Sequence, residues 1–358
     1  MTIHIVALEP IDNRYTADWL IDMPSLFKEH GFYDIEVIMG DTQTKDTIDK
    51  RLFLDIFDTQ KWKSSQVIKI AELLQEGKIK TNDTLFFMDF WFPIEQIRYM
   101  IDLAEIDVKL IGIAHAGHYD RWDFLGQNER FHKWAEEYEN CFYYCYDKIL
   151  FASDSHRKMF VDSFGYYEEE WDEDKEDFVS VENSKLVLIP DLFYWLTERA
   201  IQRRIDSGEV KRLAWEERED IIVMPIRNAP EKQPHLVELL ELEKRFPNYS
   251  FVIPMEQNLN KVEYFNLLGR SKGILTFALQ ETFGIGPIEA WFLGCKPILP
   301  DRLSYVEMIP EQYRYKRNSD VLNHVSALSL TATPPVYAPL NRNTTRIDDL
   351  LEVIFFDY

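Results

Sequence analysis

The sequence predicts an α/β chain built from two doubly wound units, each with a parallel sheet. Three observations carry this. Short β-rich apolar runs alternate with longer amphipathic stretches, the order that makes parallel strands joined by helices. The apolar runs are mostly unbroken, which marks strands buried on both faces. The alternation then pauses over residues 190–219 and restarts, and 358 residues suit two domains of ordinary size.

In the first unit, strands are expected at TIHIVAL from Thr2, DIEVIM from Asp34, TLFFM from Thr84, VKLIGIA from Val108, DKILFAS from Asp147 and KLVLIP from Lys185. Helices are expected between them, over Thr16 to His30, Lys63 to Gln75, Ile94 to Glu105, Asn128 to Cys141 and Asp154 to Phe164, the last N-capped by Ser153. In the second unit, strands are expected at DIIVMP from Asp220, SFVIP from Ser250, GILTFAL from Gly273 and KPILP from Lys296. Its helices are expected over Gln233 to Arg245, Lys261 to Leu268 and Pro287 to Leu293. The expected domains are 1–190, 191–340 and a C-terminal helix within 341–358 packing back on the first domain.

Composition narrows the partners. Lys and Arg total 40 against 62 Asp and Glu, a net charge of −22. That argues against broad adhesion to DNA or anionic lipid, but not against a locally basic cleft. The run Glu168 to Asp177 holds eight acids and one lysine, so it supplies −7 of the total from one surface excursion. Its Asp172-Glu173-Asp174 does not follow a sheet strand, and no metal is implied. Three cysteines make no disulfide framework and suit a reducing compartment. The N-terminus reads as a strand without a basic leader, and no apolar run reaches 18 residues. A cytoplasmic protein is expected.

Ligands of open α/β sheets bind beyond the carboxyl ends of the strands, so the chemistry is sought in the loops that follow them. The most informative one follows Leu279. Gln280 to Gly286 carry Gly284 and Gly286, Pro287 opens a helix, and Gly294 suits the left-handed position that closes it. Glycines let the backbone approach a ligand, and free amides at a helix start attract anions. A diphosphate fits. Glu281 and Glu289 cannot face phosphate, but they can accept from hydroxyls on either side of it. A diphosphate flanked by hydroxyls is a nucleotide-sugar.

The frame E-x-F-G-x-x-x-x-E-A-x-x-x-G-x-P, here Glu281 to Pro297, resembles the retaining glycosyltransferases of the GT-B fold, with two Rossmann-like domains facing across a cleft. Thr282 replaces that family's first glycine. The resemblance implies that Glu281 binds donor-sugar hydroxyls, that the amides around Phe283, Gly284 and Ile285 meet the phosphates, and that Glu289 holds the ribose. Ile221 to Ile253 resembles the opening of the family's second domain, which places Arg227 and Lys232 as the cations on the diphosphate. Ile226 and Gln233 stand where the family has glycines. In the first domain, His115 matches the histidine near the reaction centre. Arg14, Tyr15, Asp89, Trp91, His118 and Asp120 are candidates for the acceptor side. The loop Glu9 to Trp19 departs from the family, because it has no glycine.

The implied reaction is sugar transfer from a UDP- or GDP-sugar to an acceptor hydroxyl with retention, without a required cofactor. The acceptor is a saccharide or lipid-linked glycan; the alternative is a hydroxylated base in DNA, as in phage enzymes that glycosylate their own genome. Two basic stretches, Arg199 to Arg212 and Arg314 to Arg317, are the candidates for tracking phosphates in that case. A non-catalytic nucleotide-sugar-binding protein and an epimerase are the other classes.

Overall fold

The computed structural model describes residues 1–11, 14–41, 55–166, 168–172, 177–181, 183–226, 229–233, 237–330 and 347–356. The first unit runs β1 (Ile3–Val6), α1 (Tyr15–Glu29), β2 (Ile35–Ile38), α2 (Ile56–Gln75), β3 (Thr84–Phe87), α3 (Ile94–Leu103), β4 (Lys109–Ala114), α4 (Ala135–Cys145), β5 (Lys148–Phe151) and α5 (Asp154–Phe164). A hairpin of β6 (Glu168–Asp172) and β7 (Asp177–Val181) follows, then β8 (Leu186–Leu188). The sheet order is β2-β1-β3-β4-β5-β8, and every pair is parallel. β1, β3 and β5 are buried at every position, as unbroken apolar runs require.

A long helix, α6 (Pro190–Asp206), leads into the second unit. There β9 (Glu219–Val223), α7 (Val237–Arg245), β10 (Ser250–Val252), α8 (Lys261–Arg270), β11 (Ser271–Leu275), α9 (Ile285–Phe292), β12 (Lys296–Pro300), α10 (Tyr305–Met308), β13 (Arg314–Tyr315) and α11 (Val321–Leu330) succeed one another. The sheet order is β10-β9-β11-β12-β13, again parallel. The last helix, α12 (Ile347–Phe355), lies against the first sheet. Phe355 meets Phe27 and Phe86 with centroids 5.3 and 5.9 Å apart. Lys109 and Lys148 donate to the final carbonyls of this helix, where positive charge opposes the helix dipole.

Some elements differ from the sequence expectation. α4 starts at Ala135 rather than Asn128. The preceding segment is held by local turns: Asp120 accepts from the Trp122 amide, Asp123 from Leu125 and Asn128 from Arg130. Such side chains compete with helix formation. α2 begins seven residues before Lys63, because Asp55 accepts from the amides of Phe57 and Asp58.

The connector at 190–219 contains a helix that the pattern did not announce. α6 buries Leu192, Phe193, Tyr194 and Leu196 and packs on both α1 and α9, so one core cluster runs through both units. Its cations are committed within the protein. Arg199 pairs with Glu29, Arg203 with Asp18 and Asp22, and Arg204 with Asp18. Arg212 donates to the Phe292 carbonyl. In the second basic stretch Arg314 pairs with Asp301. These arginines therefore tie elements together, while Lys211, Lys316 and Arg317 of the two stretches stay exposed.

Candidate active site

The carboxyl ends of both sheets open on one cleft of about 890 Å³. Its second-unit wall is the loop after Leu279 and the start of α9. Gly284 has φ +94°, a conformation that a side chain resists. The Ile288 amide is the first of the helix to find its acceptor, the Gly284 carbonyl at 3.0 Å. The amides of Ile285 and Gly286 thus precede the helical ladder, at its positive end. A Cβ on Gly286 would lie 3.2 Å from Pro225, so glycine keeps this end open against the β9 loop.

Lys232 fixes the loop. Its ammonium donates to the Gln280 carbonyl, to Gln280 Oε1 at 3.1 Å and to Glu281 Oε2 at 3.3 Å. Lys232 is buried, and Glu281 is about a quarter exposed on the cleft side. The resemblance implies Lys232 as a cation on the diphosphate; here its ammonium, carried on the segment after β9, engages the loop after Leu279. Arg227 lies outside the described residues.

Glu289 is buried and paired with Lys261 at 2.5 Å. Burial raises its pKa, and the ammonium partly offsets this. Lys261 was missed by sequence reasoning. Its helix start was legible, since Asn260 and Glu263 form a capping box, but a partner 28 residues away leaves no local signal.

The first-unit wall holds Arg14, Tyr15, Asp89, Trp91 and His115, all lining the cleft. His115 hydrogen-bonds the Met88 carbonyl through Nε2 at 2.7 Å and lies 3.4 Å from the Tyr15 hydroxyl through Nδ1. Burial lowers its pKa, which favours the neutral ring, and the Met88 carbonyl beside Nε2 accepts a proton carried there. Burial also raises the pKa of Tyr15. Asp89 pairs with Lys63 at 2.7 Å, another residue the sequence reading passed over. Beyond them Phe92, Phe124, Phe131, Trp134 and Tyr138 continue an aromatic surface from Trp91.

Two expected acceptor-side residues do not line the cleft. His118 turns to His132, 2.5 Å away, and Asp120 is buried and accepts from the Trp122 amide. Among the described residues no group of three or more His, Cys, Asp or Glu is arranged to hold a metal ion. No described helix is long and apolar enough to cross a membrane.

The two units are also stitched beside the cleft. Ser153 Oγ donates to the Thr282 carbonyl at 2.6 Å, and Glu307 accepts from the amides of Asp154 and Ser155, each at 2.7 Å.

With two parallel sheets facing one cleft, the architecture can be compared with solved structures. It is similar to a UDP-GlcNAc 2-epimerase from Neisseria meningitidis bound to UDP-GlcNAc, at 12% identity over 98% of this chain and 100% of that one, with a TM-score of 0.54. The architecture is the GT-B fold. Sucrose-phosphate synthase from Thermosynechococcus elongatus matches at 12% identity over 93% and 90% of the two chains, TM-score 0.53. A UDP-forming α,α-trehalose-phosphate synthase from Burkholderia xenovorans matches at 14% over 99% and 95%, TM-score 0.51. No protein-family model matches the chain. A curated relative, the tRNA-queuosine α-mannosyltransferase of Drosophila melanogaster, is 30% identical over 90 residues, 25% of this chain and 22% of that protein.

Proposed function

We propose that the protein transfers a sugar from a UDP- or GDP-sugar to an acceptor hydroxyl, with retention at the anomeric carbon. The observation that carries this reading is the placement of Glu281 beside the open end of α9, on the wall of a cleft shared by both sheets. The diphosphate lies at the amides around Phe283, Gly284 and Ile285, where the helix end favours anions. Glu281 accepts from the sugar hydroxyls, and Glu289 from the ribose, its charge balanced by Lys261. Lys232 and Arg227 add positive potential as the diphosphate leaves. Fixed positive groups that meet charge developing in the transition state lower the barrier most.

The bond from the anomeric carbon to the diphosphate oxygen breaks, and the acceptor oxygen bonds that carbon on the same face. The acceptor proton passes to the departing diphosphate, so no covalent nucleophile and no metal are needed. His115, neutral and fixed by Met88, shapes the wall at the reacting carbon.

The acceptor occupies the aromatic side of the cleft, where Trp91, Trp134 and Tyr138 offer faces to a ring. A saccharide or lipid-linked glycan is the first reading. A hydroxyl carried on a nucleic-acid base is the second, favoured by the 90-residue likeness to an enzyme named for a modified tRNA base. A protein that binds nucleotide-sugars without turning them over, or an epimerase, is the remaining alternative. Donor hydrolysis in the absence of acceptor tests the catalytic reading. Glu281→Ala is expected to slow it about 100-fold or more, as loss of a transition-state contact does. Unchanged turnover in that variant removes the assignment.

A further inference from the structure

One buried acid next to the cleft is left unused by this mechanism. Glu139, on α4, is fully buried. Its Oε1 accepts from the Trp91 indole at 2.9 Å and from the His118 amide at 2.5 Å, and its Oε2 accepts from the Tyr119 amide at 3.3 Å. Among the described residues no lysine or arginine pairs with it. The three donors come from two segments distant in sequence, the turn after β3 and the loop after β4. The loop presses on the carboxyl: a Cβ on Gly117 would lie 2.5 Å from Oε1.

We propose that Glu139 is the positioning residue of the acceptor wall, fixing the Trp91 ring in the cleft and the backbone at His118 and Tyr119 behind it. The consequence for acceptor binding rests on the glycosyl-transfer reading; the positioning itself does not. Trp91 packs among Tyr138, Phe142 and Trp134, with centroids at 5.2, 5.5 and 6.3 Å. None of these rings can accept the indole proton as a carboxyl does. A buried donor without a partner is costly, so without Glu139 the indole turns its N–H toward water in the cleft. That rotation puts the ring into the space a stacked acceptor would occupy. An aromatic face is useful for stacking only while its plane is held.

The test follows the indole ¹⁵N–¹H resonance of Trp91, assigned by its loss in Trp91→Phe. In Glu139→Leu, solvent exchange of that proton is expected to quicken by about ten-fold or more; in Glu139→Gln, which keeps a carbonyl acceptor, it stays within about three-fold of wild type. The melting shifts produced by UDP-glucose and GDP-mannose are expected to be the same in all three proteins. Equal exchange in wild type and Glu139→Leu overturns the proposal. So does a Glu139→Leu protein that loses its donor response as well, because the residue then supports the fold at large. Should the leucine variant not fold, Glu139→Gln decides through the indole shifts, and unchanged shifts overturn the proposal. If neither donor shifts even the wild type, the transfer reading fails while the indole exchange still decides the role of Glu139.

Discussion

Lys261→Met isolates the buried pair that supports the donor wall. Lys261 and Glu289 are each less than a tenth exposed and approach to 2.5 Å. Removing one partner of such a pair typically costs about 3–5 kcal/mol, because the other charge is left uncompensated. Glu289 can escape part of this by taking up a proton. Its pKa already stands above the ordinary carboxylate value through burial, and Lys261 is the chief group holding it down. In Lys261→Met it rises further. A carboxyl with a folded pKa above the unfolded one contributes stability that is complete below the unfolded pKa, near 4.5, and lost as pH rises through the folded pKa. The deficit of the variant is therefore smallest in acid. Urea unfolding followed by tryptophan fluorescence is expected to show roughly 3 kcal/mol of lost stability at pH 8, shrinking toward about 1 kcal/mol at pH 5. A deficit that stays constant between these two pH values, or that lies below about 1 kcal/mol at pH 8, would show that Glu289 does not depend on Lys261 for its charge.

Three further outcomes are expected. Gly294→Ala places a Cβ 2.4 Å from Arg218 Nη2 at a residue with φ +91°, so denaturant melts should show about 2–4 kcal/mol of destabilisation, since Arg218 is buried among the carbonyls of Leu213, Ser271 and Leu293. Glu307→Ala leaves the first amides of α5 without their acceptor from the other unit, at a cost of about 1–2 kcal/mol, read as faster hydrogen exchange at Asp154 and Ser155. Burial pushes the Glu139 carboxyl up to about 8, so wild type should lose stability relative to Glu139→Gln as pH rises from 5 to 9, on the order of 3 kcal/mol in denaturant melts.

Much of the fold could be read directly, because its signal is local. All ten strands expected in the two sheets are present, since unbroken β-rich runs have few alternatives when helices separate them. Ser153 and Gly294 cap helices as expected, each by chemistry confined to a few residues. α6 is not legible in the sequence, because its many buried positions reflect contact with two units at once, which no single helical stripe announces. In the site, the glycine-rich turn at Gly284 was legible because only a special backbone calls for it. The engagement of Lys232 with Gln280 and Glu281, the pairing of Lys261 with Glu289 and the bond from Trp91 to Glu139 were not. Each joins residues 28 to 49 positions apart, and a single sequence carries no term for such pairs. The same holds for the arginines of α6, which composition alone makes look like a free basic track.

The central claim is that this cleft holds a nucleotide-sugar between Glu281 and the open end of α9. Its most direct test is the melting temperature of wild type and Glu281→Ala with a panel of UDP- and GDP-sugars at millimolar concentration. A ligand that binds the folded state at 100 times its Kd stabilises by about 2.7 kcal/mol. At least one donor should raise the melting temperature clearly in wild type and much less in Glu281→Ala. No rise with any donor, or the same rise in both proteins, contradicts that claim.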